Sequence, residues 1–392
     1  MVNISVKMIK MENKIDKLIN ELCLEGVEFK ELGEVCDFKY GKGNTIPKTG
    51  GEYPVYGCNG IVGSHHEFNN EDSPIIGHIG TAGIVVWGKG KNFVTYNGIM
   101  CKPKDKKLLS KYVYYYLLIL NLPSLIQGAQ PFLSYGTIKA LKIPLPPLSI
   151  QEEIVKILDN FTELEAELEA ELEARKKQYE YYREDLLTFS DDVECTPLNE
   201  LCKIGDGLHG TPKYTPLGKY YFINGNNLKK GYLVFEENTK KVDEEMFIKH
   251  GIKFFTGKTL FMSINGTIGS VAFFRDENIV LGKSVAYFNL KSNKLNLKFL
   301  YYLLQTNFAK NYYEIQKTGA TIKNLGLKAL REFKIPLPSI PEQERIVAIL
   351  DKFDALVNDI SIGLPAEIKA RKQQYEYYRE KLLTFKEKTI TA

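Results

Sequence analysis

The stretch IPLPPLSIQEEIVKILDNF (143–161) returns as IPLPSIPEQERIVAILDKF (335–353), identical at 12 of 19 positions. Downstream of each copy, ARKKQYEYYREDLLTF (174–189) returns as ARKQQYEYYREKLLTF (370–385), identical at 14 of 16 positions. The segments that join the two blocks are 12 and 16 residues long. Long blocks repeated in the same order mean an internal duplication, and such a repeat governs the reading of every shorter motif.

The repeated blocks carry helical periodicity. Apolar residues at Ile154, Ile157, Phe161, Leu164 and Leu168 are spaced three and four apart, which makes a coiled-coil seam. A step of four to Leu172 is a stutter, after which the seam runs on through Tyr179, Tyr182 and Leu186. In the second copy it runs through Ile346, Ile349, Phe353, Leu356 and Ile360, then Tyr375, Tyr378 and Leu382. Gly363 and Pro365 predict a break there, with Pro365 in the first turn of a restarted helix. IPLPPL and IPLPSI are stiff lead-ins that end a strand and start a helix. About 40 helical residues make a rod of roughly 60 Å. Two rods with matching seams pair most simply with each other, antiparallel, around a pseudo-two-fold axis.

Ahead of each block lies a weakly similar globular segment. LGEVC (32–36) answers LNELC (198–202), GTAGIVVW (80–87) answers GTIGSVAF (266–273), and KYVYYYLL (111–118) answers KFLYYLL (298–304). PIIGHIG, GIVVWG, TLFMSI, GSVAFF and NIVLG read as strands between Gly, Asn and Lys turns. One helical stretch is expected in each head, near 110–121 and 296–313. The fold class is α+β: two α/β heads in tandem, separated by two long helices forming an antiparallel coiled-coil spacer. The expected divisions are a helical segment at 1–26 (helix near 12–24), a first head at 27–148, a central helix at 149–190, a second head at 191–340 and a C-terminal helix at 341–392.

The chain has 392 residues, 44% apolar and 26% charged, enough for two soluble domains. No apolar run reaches the roughly 18 residues of a membrane span, and the N-terminus has no signal-peptide pattern. Six scattered cysteines without a CxxC pair suit reduced thiols in the cytoplasm. Cys58, His65 and His66 could be drawn as a metal site, but a buried cysteine beside surface histidines explains them better. Net charge is +4 overall, yet +4 over residues 27–150, −10 over 151–194 and +10 over 195–340. Basic heads on an acidic frame suit a polyanion held by the heads.

Catalytic motifs are missing. LGKS (281–284) has Glu277 where a Walker loop needs its first Gly, and neither G-x-S-x-G nor H-E-x-x-H occurs. There is no Asn/Asp-Pro-Pro-aromatic box of amino-methyltransferases. GHIGTAG (77–83) and NGTIGS (265–270) read as tight turns between strands, and Glu244/Glu245 as a solvated charge run. No metal ligand set is assigned. The heads instead offer basic, amide and aromatic side chains on Gly-rich loops. The first head has Lys39, Lys42, Asn44 and Lys48 in KYGKGNTIPK, Tyr56 and Asn59 in YGCNG, and Lys89 and Lys91 in WGKGKN. The second has His209, Lys213 and Tyr214 in GLHGTPKY, Asn224, Asn226, Asn227, Lys229 and Lys230 in NGNNLKK, and Lys283. Lysines and backbone N–H groups suit phosphates, and amides suit base edges. Ile154, Phe161, Tyr179, Tyr182, Ile346, Phe353, Tyr375 and Tyr378 are the expected helix-packing and partner-docking residues.

The IPLPP lead-in, the EQ-x-x-I-V-x-I-LD helix start, the ARK-x-QYEYYR-x-x-LLTF helix end and the doubled layout resemble the DNA-specificity subunits of type I restriction-modification systems. The resemblance implies two target recognition domains on double-stranded DNA, each reading half of an interrupted site. It implies a helical frame that docks two methylation subunits and, through them, restriction subunits. It also places S-adenosylmethionine, ATP and Mg²⁺ on those partners, leaving this chain non-catalytic and without a cofactor. The competing reading is a coiled-coil scaffold with protein-binding heads, which predicts no salt-sensitive DNA binding.

The run Leu164-Glu-Ala-Glu, Leu168-Glu-Ala-Glu, Leu172-Glu-Ala-Arg repeats at slightly more than one helical turn, so each unit lengthens the helix with little rotation of its seam. One unit adds about 6 Å, at most roughly two base pairs at ~3.4 Å each. Deleting or adding one unit is expected to keep both half-site sequences and to change the spacer between them by one or two base pairs. Methylome sequencing reads this directly; an unchanged spacer at full activity would show that the helix is no ruler.

Overall fold

The computed structural model describes residues 17–44, 46–126, 132–229 and 231–388. They fall into two units, Met1–Glu169 with Glu367–Ala392, and Ala170–Ala366. Of the helix expected near 12–24, residues 17–22 are helical, and its start lies outside the described residues.

The first unit holds β1 (Phe29–Glu31), β2 (Cys36–Tyr40), β3 (Tyr53–Gly57), β4 (Gly60–His65), β5 (Asn70–Gly77), β6 (Val85–Val94), β7 (Gly98–Pro103) and β8 (Lys142–Pro144). Six of these form one sheet in the order β2-β7-β5-β6-β3-β4, while β1 pairs antiparallel with β8. The helix Ser110–Ile119 covers the sheet with buried Tyr112, Val113, Tyr115 and Tyr116.

The second unit holds β9 (Cys195–Pro197), β10 (Cys202–Asp206), β11 (Tyr220–Ile223), β12 (Leu228–Lys229), β13 (Tyr232–Leu233), β14 (Lys241–Val242), β15 (Thr259–Ser263), β16 (Val271–Phe273), β17 (Ile279–Leu281), β18 (Val285–Leu290) and β19 (Lys334–Pro336). Its main sheet runs β10-β18-β15-β16, a smaller one runs β14-β11-β17, and β9 pairs with β19 as β1 does with β8. The helical stretch expected as one piece at 296–313 is two helices, Leu297–Leu303 and Asn307–Gln316. The first ends at Leu303, and Thr306 caps the second, its hydroxyl accepting from the Ala309 N–H at 3.3 Å.

The duplicated blocks become a 39-residue central helix, Leu148–Leu186, and a split pair, Ile340–Asn358 and Leu364–Leu383. Both lead-ins end a strand at Pro144 or Pro336 before the helix begins. The C-terminal break comes where Gly363 must fit, since a Cβ there would stand 2.5 Å from the Ala355 carbonyl oxygen.

Each long helix is fastened to its head by a buried glutamine. The Gln151 Oε1 accepts from the Leu109 N–H at 2.9 Å, and its Nε2 donates to the Lys107 and Pro146 carbonyls, each at 2.9 Å. Gln343 repeats the pattern: Oε1 accepts from the Asn296 N–H at 2.8 Å, and Nε2 donates to Lys294 and Pro338 at 2.9 and 2.8 Å. Two turns on, Asp159 takes Lys111 at 3.0 Å and the Tyr115 hydroxyl, and Asp351 takes Lys298 at 2.6 Å and the Tyr302 hydroxyl at 2.7 Å.

The helix ends pack crosswise between the copies. In the first unit Phe161 meets Tyr375 and Tyr378, ring centroids 6.1 and 5.5 Å away, and Lys372 bridges Glu165 and Glu169 at 3.1 and 2.9 Å. Partner numbers fall as the first helix advances, so the packing is antiparallel. In the second unit Tyr182 stacks on Phe353 at 5.2 Å, and the Tyr179 hydroxyl reaches Asp354 at 3.4 Å. Each head unit thus closes over QYEYYR from the other copy. Ile154, Phe161, Tyr179 and Ile346 are buried, whereas Tyr182, Phe353, Tyr375 and Tyr378 are half-buried. Arg379 lies over the Tyr375 ring and Arg183 over Tyr179, at 5.1 and 5.5 Å, so the aromatic seam carries cations as well.

Two outcomes follow from these contacts. Gln151→Ala leaves one N–H and two carbonyls without their partner, the Pro146 carbonyl in the interior and the Leu109 and Lys107 groups half-buried, at about 1–3 kcal/mol for a buried group left unpaired. It should lower the stability of the first unit by on the order of 3 kcal/mol, and Gln343→Ala that of the second. Denaturant titration of each variant measures this, and unchanged midpoints in both would dismiss the clamp. Burial pushes the Tyr114 and Tyr301 phenols up to about 12. An unfolded tyrosine ionises near 10, so the fold holds protons that the unfolded chain gives up. The stability is full below pH ~10 and is lost as pH rises toward ~12. A Tyr114→Phe/Tyr301→Phe variant should show a shallower alkaline loss than the parent chain, measured as unfolding midpoint against pH; equal slopes would count against it.

Candidate nucleic-acid interface

Both heads build the same surface feature from a glycine turn. In the first head β5 and β6 are joined by residues 78–84, where the Gly77 N–H donates to the Ile84 carbonyl at 2.8 Å and the Gly83 N–H to the Gly77 carbonyl at 2.9 Å. In the second, β15 and β16 are joined in the same way, with Ser263 to Ser270 and Gly269 to Ser263 both at 2.9 Å. Gly80 and Gly83 have φ of 85° and 80°, and Gly266 and Gly269 have 73° and 94°, values that exclude most side chains. GHIGTAG and NGTIGS are therefore turns, as read from the sequence, and the tip of each stands exposed.

The same three flanking segments hold each turn. The His78 N–H donates to the Asn97 carbonyl at 2.8 Å, as Ile264 does to Ser284 at 2.9 Å. The Leu133 N–H donates to His78 at 3.0 Å, as Leu325 does to Ile264 at 2.8 Å. Lys42 donates to Val94 at 3.0 Å, as Leu208 does to Leu281 at 2.7 Å. The bridge Ile79–Phe132 answers Asn265–Asn324, and Tyr40 opposite Ile99 answers Asp206 opposite Ala286. Position by position, Tyr40 thus corresponds to Asp206, Ile79 to Asn265, Tyr96 to Lys283 and Phe132 to Asn324.

On this shared frame the side chains differ in kind. The first platform is aromatic: Tyr40 lies 4.4 Å from the His78 ring and 5.6 Å from Tyr96, while Phe132 lies 4.7 Å from His78. Tyr96 and Phe132 are 45% and 49% exposed. The His78 Nδ1–H donates to the Leu133 carbonyl at 2.7 Å, which fixes the ring beneath them. The second platform is a polar cleft of 440 Å³ lined by Asp206, His209, Asn265, Lys283 and Asn324 among others. His209 Nε2 sits 2.8 Å from an Asp206 carboxylate oxygen with its side chain 73% exposed.

The residues singled out from sequence divide accordingly. His209 and Lys283 meet in this cleft, and Lys42 and Asn44 are exposed on the equivalent loop of the first head. Asn224, Asn226, Asn227 and Lys229 line a separate cleft of 530 Å³. Two of these amides are committed to local structure. Asn227 Oδ1 accepts from the Asn224 N–H at 3.0 Å, Asn224 Oδ1 accepts from the Asn226 N–H at 2.9 Å, and Asn227 Nδ2 donates to Val234 at 3.0 Å. Asn227 is buried at the floor of that cleft, with its amide spent on these local bonds. Tyr56 is 7% exposed and packs with Ile75, Val94 and Met100, so it belongs to the core. WGKGKN is not a loop: Lys89 and Lys91 are exposed on β6, beside a bulge opposite Glu71–Ser73. Lys39 is exposed on the edge strand β2, Asn59 stands at the β3–β4 turn, and Lys48 and Lys213 are exposed. Tyr214 packs edge-on against Phe222 at 5.6 Å. Lys230 lies outside the described residues.

Tyr96, Phe132, Asn265 and Asn324 were missed by the sequence reading. The alignment of GTAG with GTIG held the signal, because the residues beside those turns and their bridging partners occupy matched places. Among the described residues no group of three or more His, Cys, Asp or Glu is placed to hold a metal ion. Cys58 is hydrogen-bonded to the Thr81 hydroxyl, which holds its thiol below the usual value, and His65 stacks on Phe93 at 4.1 Å.

Comparison with known proteins matches both halves of the chain. Residues 24–174 and 190–370 each fit the type I restriction modification DNA specificity domain. The Escherichia coli EcoR124I/EcoR124II specificity subunit is 36% identical over 72% of this chain and 72% of its own length. A putative type I restriction enzyme specificity subunit of Haemophilus influenzae is 32% identical over 95% of this chain and 100% of its own. Among solved structures, the S subunit of a type I system from M. genitalium aligns with TM-score 0.58 at 17% identity, covering 91% of this chain and 96% of that one. A chain from a study of complex assembly in a type I system aligns with TM-score 0.60 at 15% identity, covering 91% and 97%. This chain therefore belongs to the DNA-specificity family of type I restriction-modification systems.

Proposed function

We propose that each head reads one half of an interrupted, asymmetric site in double-stranded DNA, and that the helices dock two methylation subunits and, through them, restriction subunits. The observation that carries this reading is one scaffold built twice with unlike exposed chemistry, beside helix blocks that barely differ. Two heads that bind different sequences need divergent faces, whereas a frame that binds two copies of one partner needs matching ones. The chain supplies recognition alone. S-adenosylmethionine, ATP and Mg²⁺ belong to the partners, and the complex works on DNA in the cytoplasm. Among the described residues no helix is long and apolar enough to cross a membrane. The family membership supports this reading over a scaffold with protein-binding heads.

Head exchange tests the division of labour. Replacing residues 27–150 by the corresponding segment of another family member should change one half of the methylated site and leave the other intact. Methylome sequencing of a host expressing the chimera with its cognate methylation subunit gives the answer. A change in both halves, or in neither, contradicts independent reading.

A further inference from the structure

The two matched platforms carry opposite recognition chemistry on one backbone. The turn glycines, the flanking hydrogen bonds and the bridges Ile79–Phe132 and Asn265–Asn324 are the same in both heads. What differs is the set of side chains: Ile79, Tyr96 and Phe132 in the first, Asn265, Lys283 and Asn324 in the second. A backbone held this tightly lends geometric precision to the side chains beside it, which base-edge recognition requires. We propose that this glycine-turn platform is the base-reading site of each head, the first reading by apolar contact and the second by hydrogen bonds. The proposal rests on the reading of the heads as DNA-binding domains.

The ligand class follows from the groups presented. The Asn324 amide matches the paired donor and acceptor of an adenine edge, the Asn265 amide keeps its oxygen and one N–H after donating to the Lys283 carbonyl at 3.4 Å, and the Lys283 ammonium matches the two acceptors of guanine. Asp206, held beside His209, accepts hydrogen bonds and suits a cytosine amino group. Exposed Phe132 and Ile79 offer no hydrogen bond, and the base feature that they fit is the thymine methyl in the major groove. The first platform should therefore read A·T or T·A pairs by methyl contact. The second should read pairs with hydrogen-bonding edges. Lys89 and Lys91, exposed on β6 away from the turn, should add affinity without sequence preference.

The test uses the full chain with its cognate methylation subunit, read by methylome sequencing and by competition with randomised duplexes. Lys283→Ala/Asn324→Ala should relax one or two positions of one half-site by about 10- to 100-fold in discrimination and leave the other half sharp. Tyr96→Ala/Phe132→Ala should relax the opposite half, at a thymine. Lys89→Ala should weaken binding to all duplexes alike. Should an alanine pair fail to assemble, Asn324→Asp in the second head and Phe132→Asn in the first, which exchange the hydrogen-bonding character at the matched place, decide by the same readout. Sharp and unchanged motifs in the platform variants, with a bipartite parent site, overturn the platform while sparing the DNA-reading function. Weaker binding with unchanged motifs overturns it too, since the contact would be to phosphate. A parent complex that methylates no bipartite site overturns the functional reading itself and the platform with it.

Discussion

A buried amide at the start of each long helix fastens the frame to the head. Gln151 and Gln343 each spend one acceptor and two donors on backbone groups, two of them in the loop that leads into the head helix and one in the proline lead-in. A carboxylate could not donate to the two carbonyls, and an apolar residue would leave all three groups without their partner. The aspartate pairs two turns later fix the rotation of the head helix against the frame helix. Because the clamp binds backbone, the head can vary in side chains without loosening its hold.

Much of this was legible in the sequence. The duplication, the proline-led helix starts and the break at Gly363 were all visible as pattern, because helical period and ring constraints act locally. Turn and strand assignments around GHIGTAG followed from the same local chemistry. What sequence did not disclose were properties that depend on distant residues. Tyr56 looks like a loop aromatic until Ile75, Val94 and Met100 close over it, and Asn227 looks free until Val234 takes its amide. WGKGKN looks like a glycine loop, yet it pairs with β5 as part of β6, with its surplus residue taken up as a bulge in β6. The platform residues come from four separate stretches of each head, so no single motif could contain them.

The aromatic seams show how one helix pattern fills two roles. QYEYYR presents a tyrosine to the partner helix and stands an arginine over that same ring, in each copy alike. The phenols beside the seams stay neutral because burial disfavours their ionised form, so they add no negative charge beside the arginines that stand over the rings.

The crosswise packing of the helix ends has a temporal consequence. The first unit is discontinuous in the chain, since it needs residues beyond Glu367 to cover Phe161. Roughly 200 residues separate the two, so at about 5–20 residues per second a ribosome leaves that seam bare for some 10–40 seconds. The second unit draws only on a contiguous stretch and can close first. During synthesis the earlier head waits for the later one, its half-finished core open to chaperones or to a second nascent chain.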